Sequence, residues 1–210
     1  MSHPLSFLVR GLALGFAIAA PVGPIGVLCI RRTLAMGRAA GLATGLGAAA
    51  ADACYGAVAA FGLTWVTPTL VGQQAWIRLI GGLFLLYLGI ATFVARPAEQ
   101  PAAVGAAGLA GAFGSTFVLT LTNPMTILSF VAAFAGLGLG GGATGPAAAG
   151  ALVAGVCAGS AAWWLILSGL VDRIRNRFDA GRMRWVNRAS GALITGFGVV
   201  ALAGLWKGAR

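Results

Sequence analysis

The residue best suited to bind a charged group or to exchange a proton is Asp52, the single acid in the otherwise uncharged stretch 39–77. An acid within a membrane is costly unless it is paired, hydrated or protonated, so it is a functional candidate by default. Since successive helical residues turn by about 100°, Gly41, Gly45, Ala48 and Asp52 share one stripe. Small residues let another helix approach closely, so we expect Asp52 to face protein. It could hold the ammonium group of a solute or exchange a proton, and the alternative is a structural acid paired with a neighbouring helix.

Two proline motifs lie at similar depths in separate apolar stretches. One ends in Gly23-Pro24 and the other in Asn123-Pro124, a shift of 100 residues. A proline inside a helix removes a backbone donor and breaks or kinks the helix, and the freed polar groups then need protein, water or a ligand. The pair predicts a polar cavity at the membrane midplane, where helix N-termini could hold an anion and free carbonyls a cation. The alternative is a pair of tolerated kinks.

Hydroxyl and aromatic side chains accompany these groups. Tyr55 lies one turn after Asp52, and Ser160 and Trp163 lie in a later apolar stretch. The aromatic residues could line a solute path or belong to the belts at a membrane interface. The candidate solute-binding residues are Pro21, Gly23, Pro24, Asp52, Tyr55, Thr122, Asn123, Pro124, Ser160 and Trp163.

Apolar helices must hold these residues, and the composition favours them. Hydrophobic residues make up 59% of the 210 residues and charged residues 9%, against about 25% charged in soluble domains. A spanning helix needs about 20 mostly apolar residues. We therefore predict an all-α integral membrane protein with six spans, near 5–30, 39–63, 76–95, 108–136, 146–170 and 187–206.

The two broken spans would each open a group of three. Three spans turn the second group upside down relative to the first, which is the inverted-repeat architecture of many transporters. We expect one transmembrane domain over 1–210, with repeats at about 5–95 and 108–206.

The net charge of +10 is distributed unevenly. Alternate connections hold Arg31, Arg32, Arg38, Arg96, Arg173, Arg175, Arg177, Arg182, Arg184 and Arg188, whereas Arg78 stands alone in the opposite connections. Because positively charged loops stay in the cytoplasm, this pattern predicts that both termini lie outside. The alternative, a nucleic-acid-binding segment at 173–188, is weaker.

At full length these features resemble the LysE/RhtB family of amino-acid exporters. The resemblance rests on Ala20-Pro21-Val22-Gly23-Pro24, the Gly41, Gly45, Asp52 and Tyr55 pattern, Leu121-Thr122-Asn123-Pro124, and Ser160 to Trp164. It implies export of an amino acid or a related small molecule across the bacterial inner membrane, driven by the proton-motive force. Many family members have a lysine where this chain has Met125, which leaves the substrate subgroup open.

Other functions make demands that the sequence meets poorly. A metal exporter needs several acids or histidines within the membrane, and a thiol carrier needs paired cysteines, whereas Cys29 aligns with Ser129. An enzyme needs a nucleophile with a base, or metal ligands. An accessory subunit that transports nothing alone remains an alternative. We expect no cofactor, metal or nucleic acid, and the glycine-rich helices leave room for a homodimer.

Overall fold

The computed structural model describes residues 4–21, 23–61, 73–95, 105–123, 126–127, 129–130, 145–177 and 179–208. In this part of the chain the regular secondary structure is α-helix, and there is no strand. Its helices are α1 (Pro4–Ala19), α2 (Pro24–Met36), α3 (Arg38–Ala60), α4 (Gln74–Val94), α5 (Ala106–Leu121), α6 (Pro146–Arg175) and α7 (Ala180–Gly208).

The predicted break at the first proline motif is confirmed. Helix α1 ends at Ala19, and α2 starts at Pro24 with its axis bent by 79° from that of α1. Proline suits this position, because the first helical residues have no intrahelical acceptor for their N–H groups. Gly23 caps α2, and its carbonyl accepts the Val27 amide at 3.1 Å.

The second motif also interrupts a helix. Helix α5 ends at Leu121, Thr122 and Asn123 are not helical, and Thr126 and Ile127 are again helical. The Asn123 carbonyl accepts the Ile127 amide at 3.1 Å, which repeats the Gly23 to Val27 bond 100 residues later. Pro124 itself lies outside the described residues.

Helices pack in pairs that join the two halves of the chain. Helix α1 lies against α6, α3 against α5, α4 against α7, and α3 also against α6. Glycine makes the α1–α6 contact close, since a methyl group on Gly155 would overlap the backbone of Leu8 and Leu12, and one on Gly11 would overlap that of Leu152. Small residues therefore set the distance between these helices.

Two connections are shorter than predicted. Helix α2 continues through Arg31 and Arg32 to Met36, so Gly37 alone links it to α3, at a φ of 89° that glycine adopts readily. Helix α7 begins at Ala180 rather than near 187. Asp179 caps it by accepting the Arg182 amide at 2.8 Å. Hydropathy predicts only the apolar part of a helix. The end of α2 and the start of α7 are arginine-rich helical turns outside that apolar part, so the prediction missed them.

The described helices suit a membrane. Pro146–Arg175 and Gly181–Leu205 are long and apolar enough to cross one, and the bent pair α1 and α2 would form a third span. Arg78–Val94 and Ala106–Leu121 are shorter apolar helices, and α3 is dominated by alanine and glycine. Large apolar side chains point outward on several helices, including Val9, Ile80, Tyr87, Leu170 and Val200. The described helices are thus compatible with a helical membrane protein, with two or three spans among them rather than all six that the sequence predicts.

Candidate functional site

A cavity of about 460 Å³ lies where the two helix breaks meet the other helices. The first break contributes Pro21, Gly23 and Pro24, and the second contributes Asn123 together with Thr126. The predicted motifs thus lie beside one cavity, although they are 100 residues apart in sequence. The breaks leave backbone groups without helical partners at its wall.

Asp52 reaches this cavity from α3 while only 3% of the residue is exposed. The Ser160 hydroxyl on α6 donates to its Oδ2 at 2.7 Å, and the Trp164 indole N–H donates to the Ser160 oxygen at 3.2 Å. The stripe that carries Asp52 is buried, since a methyl group on Gly45 would overlap the Trp164 side chain. The carboxylate is thus held in one orientation by α6.

Several predicted site residues lie behind or beside the cavity instead. The Tyr55 hydroxyl donates to the Leu121 carbonyl at 2.7 Å, where it ties α3 to the end of α5. The Thr122 hydroxyl donates to Val118 of its own helix at 2.9 Å, and Trp163 packs edge-on against Phe16 at 5.5 Å. None of the three is among the described lining residues, and Ser160 reaches the cavity only through Asp52.

Arg78 lines the same cavity from the beginning of α4. One of its terminal nitrogens, Nη1, donates to the Gly204 carbonyl of α7 at 2.9 Å. The charge pattern alone places Arg78 in a connection between spans. The sequence feature that could have identified Arg78 as a site residue is its position as a charge at the start of an otherwise apolar helix, because charges within spans mark functional sites by default.

A second arginine is buried away from this cavity. Arg32 of α2 is 8% exposed, and its Nη1 donates to the Thr44 hydroxyl, the Ala112 carbonyl and the Thr116 hydroxyl at 3.0 to 3.2 Å. Its Nη2 donates to the Ser115 hydroxyl at 2.9 Å. Sequence alone assigns it to a loop, but neutral acceptors on α3 and α5 hold it inside the bundle.

Chemically, the cavity can hold a small polar solute. Among its described lining residues, Asp52 is the one acid and Arg78 the one base, and the remaining polar side-chain groups are hydroxyls, an amide and the indole N–H of Trp164. Within the described ranges, no group of three His, Cys, Asp or Glu residues could hold a metal ion.

This chain is similar to a family of translocators and to two curated proteins. The family model described as LysE type translocator matches residues 16–204. The chain is 35% identical over 127 residues to "Putative amino acid efflux protein YcgF" of Bacillus subtilis (strain 168), a match that covers 59% of the chain and 58% of that relative. It is 30% identical over 184 residues to "Uncharacterized membrane protein YahN" of Escherichia coli (strain K12), covering 85% of the chain and 80% of that relative. No solved structure matches closely enough for comparison. The chain belongs to the LysE type translocator family.

Proposed function

We propose that this protein is a secondary transporter that exports an amino acid or a related small molecule across the bacterial inner membrane. The observation that carries the proposal is the position of Asp52, a nearly buried acid that borders a cavity between two broken helices. The name of the Bacillus subtilis relative points to the same class of solute.

The helix pairing supports an inverted repeat with the cavity at its centre. Exchanging the two halves turns the α1–α6 pair into the α5–α3 pair, and both pairs are observed. The α4–α7 and α3–α6 pairs each map onto themselves under the same exchange. Six spans arranged in this way would let the halves rock around one site and open it to each side in turn.

Asp52 would bind the ammonium group of the solute or carry the coupling proton. A carboxylate held by one hydroxyl in a nearly buried site gains strongly from a bound cation, because the low local dielectric strengthens their attraction. Protonation neutralises the same group, so proton and amine would compete for Asp52. Export could then be driven by protons that return through the same site.

The test is solute counterflow in liposomes that contain the purified protein, screened with each common amino acid. We expect exchange of at least one amino acid by the wild type. Asp52→Asn keeps the size and hydrogen bonding of the side chain but loses its charge. If Asp52 couples protons, this variant should still exchange solute but should not respond to a pH gradient. If Asp52 holds the ammonium group, binding itself should fall by about 10-fold to 100-fold, as expected for loss of a charged hydrogen bond.

Asp172→Asn is the matched control, because Asp172 lies near the end of α6 and is not among the lining residues. It should behave as the wild type. Asp52→Glu, which keeps the charge and moves it by one methylene, should retain part of the activity. Normal uphill export by Asp52→Asn at wild-type abundance would leave Asp52 as a structural residue, and a wild type that moves no solute would favour an accessory subunit.

A further inference from the structure

The cavity is lined by a positively charged side chain, that of Arg78, to which the proposed function gives no role. Arg78 and Asp52 line it from different helices, α4 and α3, and they are the charged groups among its described lining residues. Thr120, Asn123 and Thr126 add neutral polar groups to the same wall. One acid and one base in a single small cavity match a ligand that carries one charge of each sign.

Arg78 has hydrogen-bonding capacity to spare. A guanidinium has five N–H donors, and the protein bond found for Arg78 uses one of them, from Nη1 to the Gly204 carbonyl. In the part of the chain that the structure describes, the one ion pair joins Arg182 to Asp179. Arg78 therefore borders the cavity with no described carboxylate to neutralise it.

We propose that Arg78 binds the carboxylate of the transported solute, so that the cavity selects zwitterions with a free carboxylate and a free amino group. This inference rests on the proposed function and names the chemistry that the site recognises. Guanidinium is suited to this role, because its planar fork pairs with both oxygens of a carboxylate. Asp52 would then meet the ammonium end of the same solute.

Gly204 sets where the guanidinium lies. A methyl group on Gly204 would stand 2.9 Å from Arg78 Nη1, too close for an ordinary contact. The end of an arginine side chain can move away easily, so Gly204→Ala should displace the guanidinium without removing its charge. On the same helix, a methyl group on Gly196 would meet nothing within 4 Å. Gly196→Ala is therefore a matched control.

The experiment compares three competitors in counterflow, once one transported amino acid is identified: that amino acid, its amide, and the amine left after removal of its carboxylate. We expect the wild type to prefer the free acid to both analogues by about 10-fold to 100-fold, the usual penalty for losing a charged hydrogen bond. Arg78→Gln should reduce this preference to near unity, mainly by weakening the free acid. Arg78→Lys and Gly204→Ala should give intermediate preferences.

Arg184→Gln removes an exposed arginine outside the cavity and should keep the full preference, as should Gly196→Ala. Equal competition by the amide in the wild type would overturn the inference, and so would an unchanged preference in Arg78→Gln. If Arg78→Gln does not reach the membrane, the competition in the wild type and the comparison of Gly204→Ala with Gly196→Ala still test whether Arg78 binds the carboxylate. Exchange of amino acids without a carboxylate preference overturns this inference alone, whereas a wild type that exchanges no amino acid overturns the proposed function as well.

Discussion

Arg32 shows how a single charge is accommodated inside this bundle. Its guanidinium is satisfied by neutral oxygens from two helices, Thr44 of α3 and Ala112, Ser115 and Thr116 of α5. A buried charge needs all of its hydrogen bonds, because each one that is lost leaves a desolvated donor. The residue therefore joins α2 to the first helix of the second half of the chain.

Thr116→Val should destabilise the protein by about 1.5–3 kcal/mol, the usual contribution of a hydrogen bond to a charged group. Both Thr116 and Thr120 are fully buried on α5, and each donates to the carbonyl four residues earlier, but only Thr116 also accepts from Arg32. Thr120→Val is therefore the control. Thermal unfolding in detergent measures the difference, and equal melting temperatures for the two variants would contradict the role given to Arg32.

From the sequence, Asp52 was identified as a candidate site residue, but neither the buried Arg32 nor the partly buried Arg78 that lines the cavity was. Asp52 is recognisable because it interrupts an uncharged stretch. Arg32 and Arg78 lie near the ends of apolar runs, where an arginine ordinarily reaches water. Only the neighbours that surround each side chain in three dimensions show that Arg32 is buried and that Arg78 lines the cavity.

At the level of helices, glycine determines how α1 and α6 meet. Gly11 and Gly15 of α1 face Gly155 and Gly159 of α6, and added methyl groups would overlap the backbone of the opposite helix at all four positions. Backbone cannot shift as a side chain end can, so the helices would have to separate. The contact supports the half-helix that leads to the first break.

Gly155→Ala should therefore cost about 1–3 kcal/mol, as overpacking usually does. That corresponds to a fall in melting temperature of about 2–4 °C per kcal/mol for a chain of this size. Gly150→Ala, on the same helix with nothing within 4 Å of the added methyl, should be neutral or slightly stabilising, since alanine favours helix. A Gly155→Ala protein that melts with the wild type would show that α1 and α6 are not held at this distance.

Proline made the helix breaks predictable, whereas the sequence did not predict which way the side chains of Tyr55 and Trp163 point. The start of α2 at Pro24 follows from the chemistry of proline alone. Tyr55 and Trp163 were predicted beside the solute, but whether an aromatic side chain enters a cavity or packs beside it depends on which helix lies opposite. Here Tyr55 stacks on Phe130 at 5.2 Å, and Trp163 meets Phe16.

For the molecule as a whole, hydrogen bonds relate the ends of the helices. Arg78 near the start of α4 binds Gly204 near the end of α7, while Asn187 near the start of α7 binds the Ala95 carbonyl after α4 and accepts from Arg31. Helices α4 and α7 are therefore antiparallel. The C-terminal end of α7 lies beside the N-terminal end of α4, away from Arg31.

Both termini should face away from the cytoplasm, since positively charged connections stay inside. A reporter that is active only in the cytoplasm should be silent when it is fused after Arg210. The same reporter inserted after Arg177, in the turn between α6 and α7, should be active. Activity after Arg210 would contradict the predicted orientation, and activity at both positions would show that α7 does not cross the membrane.

The balance of one acid and one base in the cavity also has an electrical consequence. A zwitterion has no net charge, so its passage between Asp52 and Arg78 moves no current, and the membrane voltage neither drives nor opposes it. Each proton exchanged for a solute molecule would instead experience about 2.3 kcal/mol for every 100 mV. The voltage dependence of transport would therefore count the protons that return for each solute molecule exported.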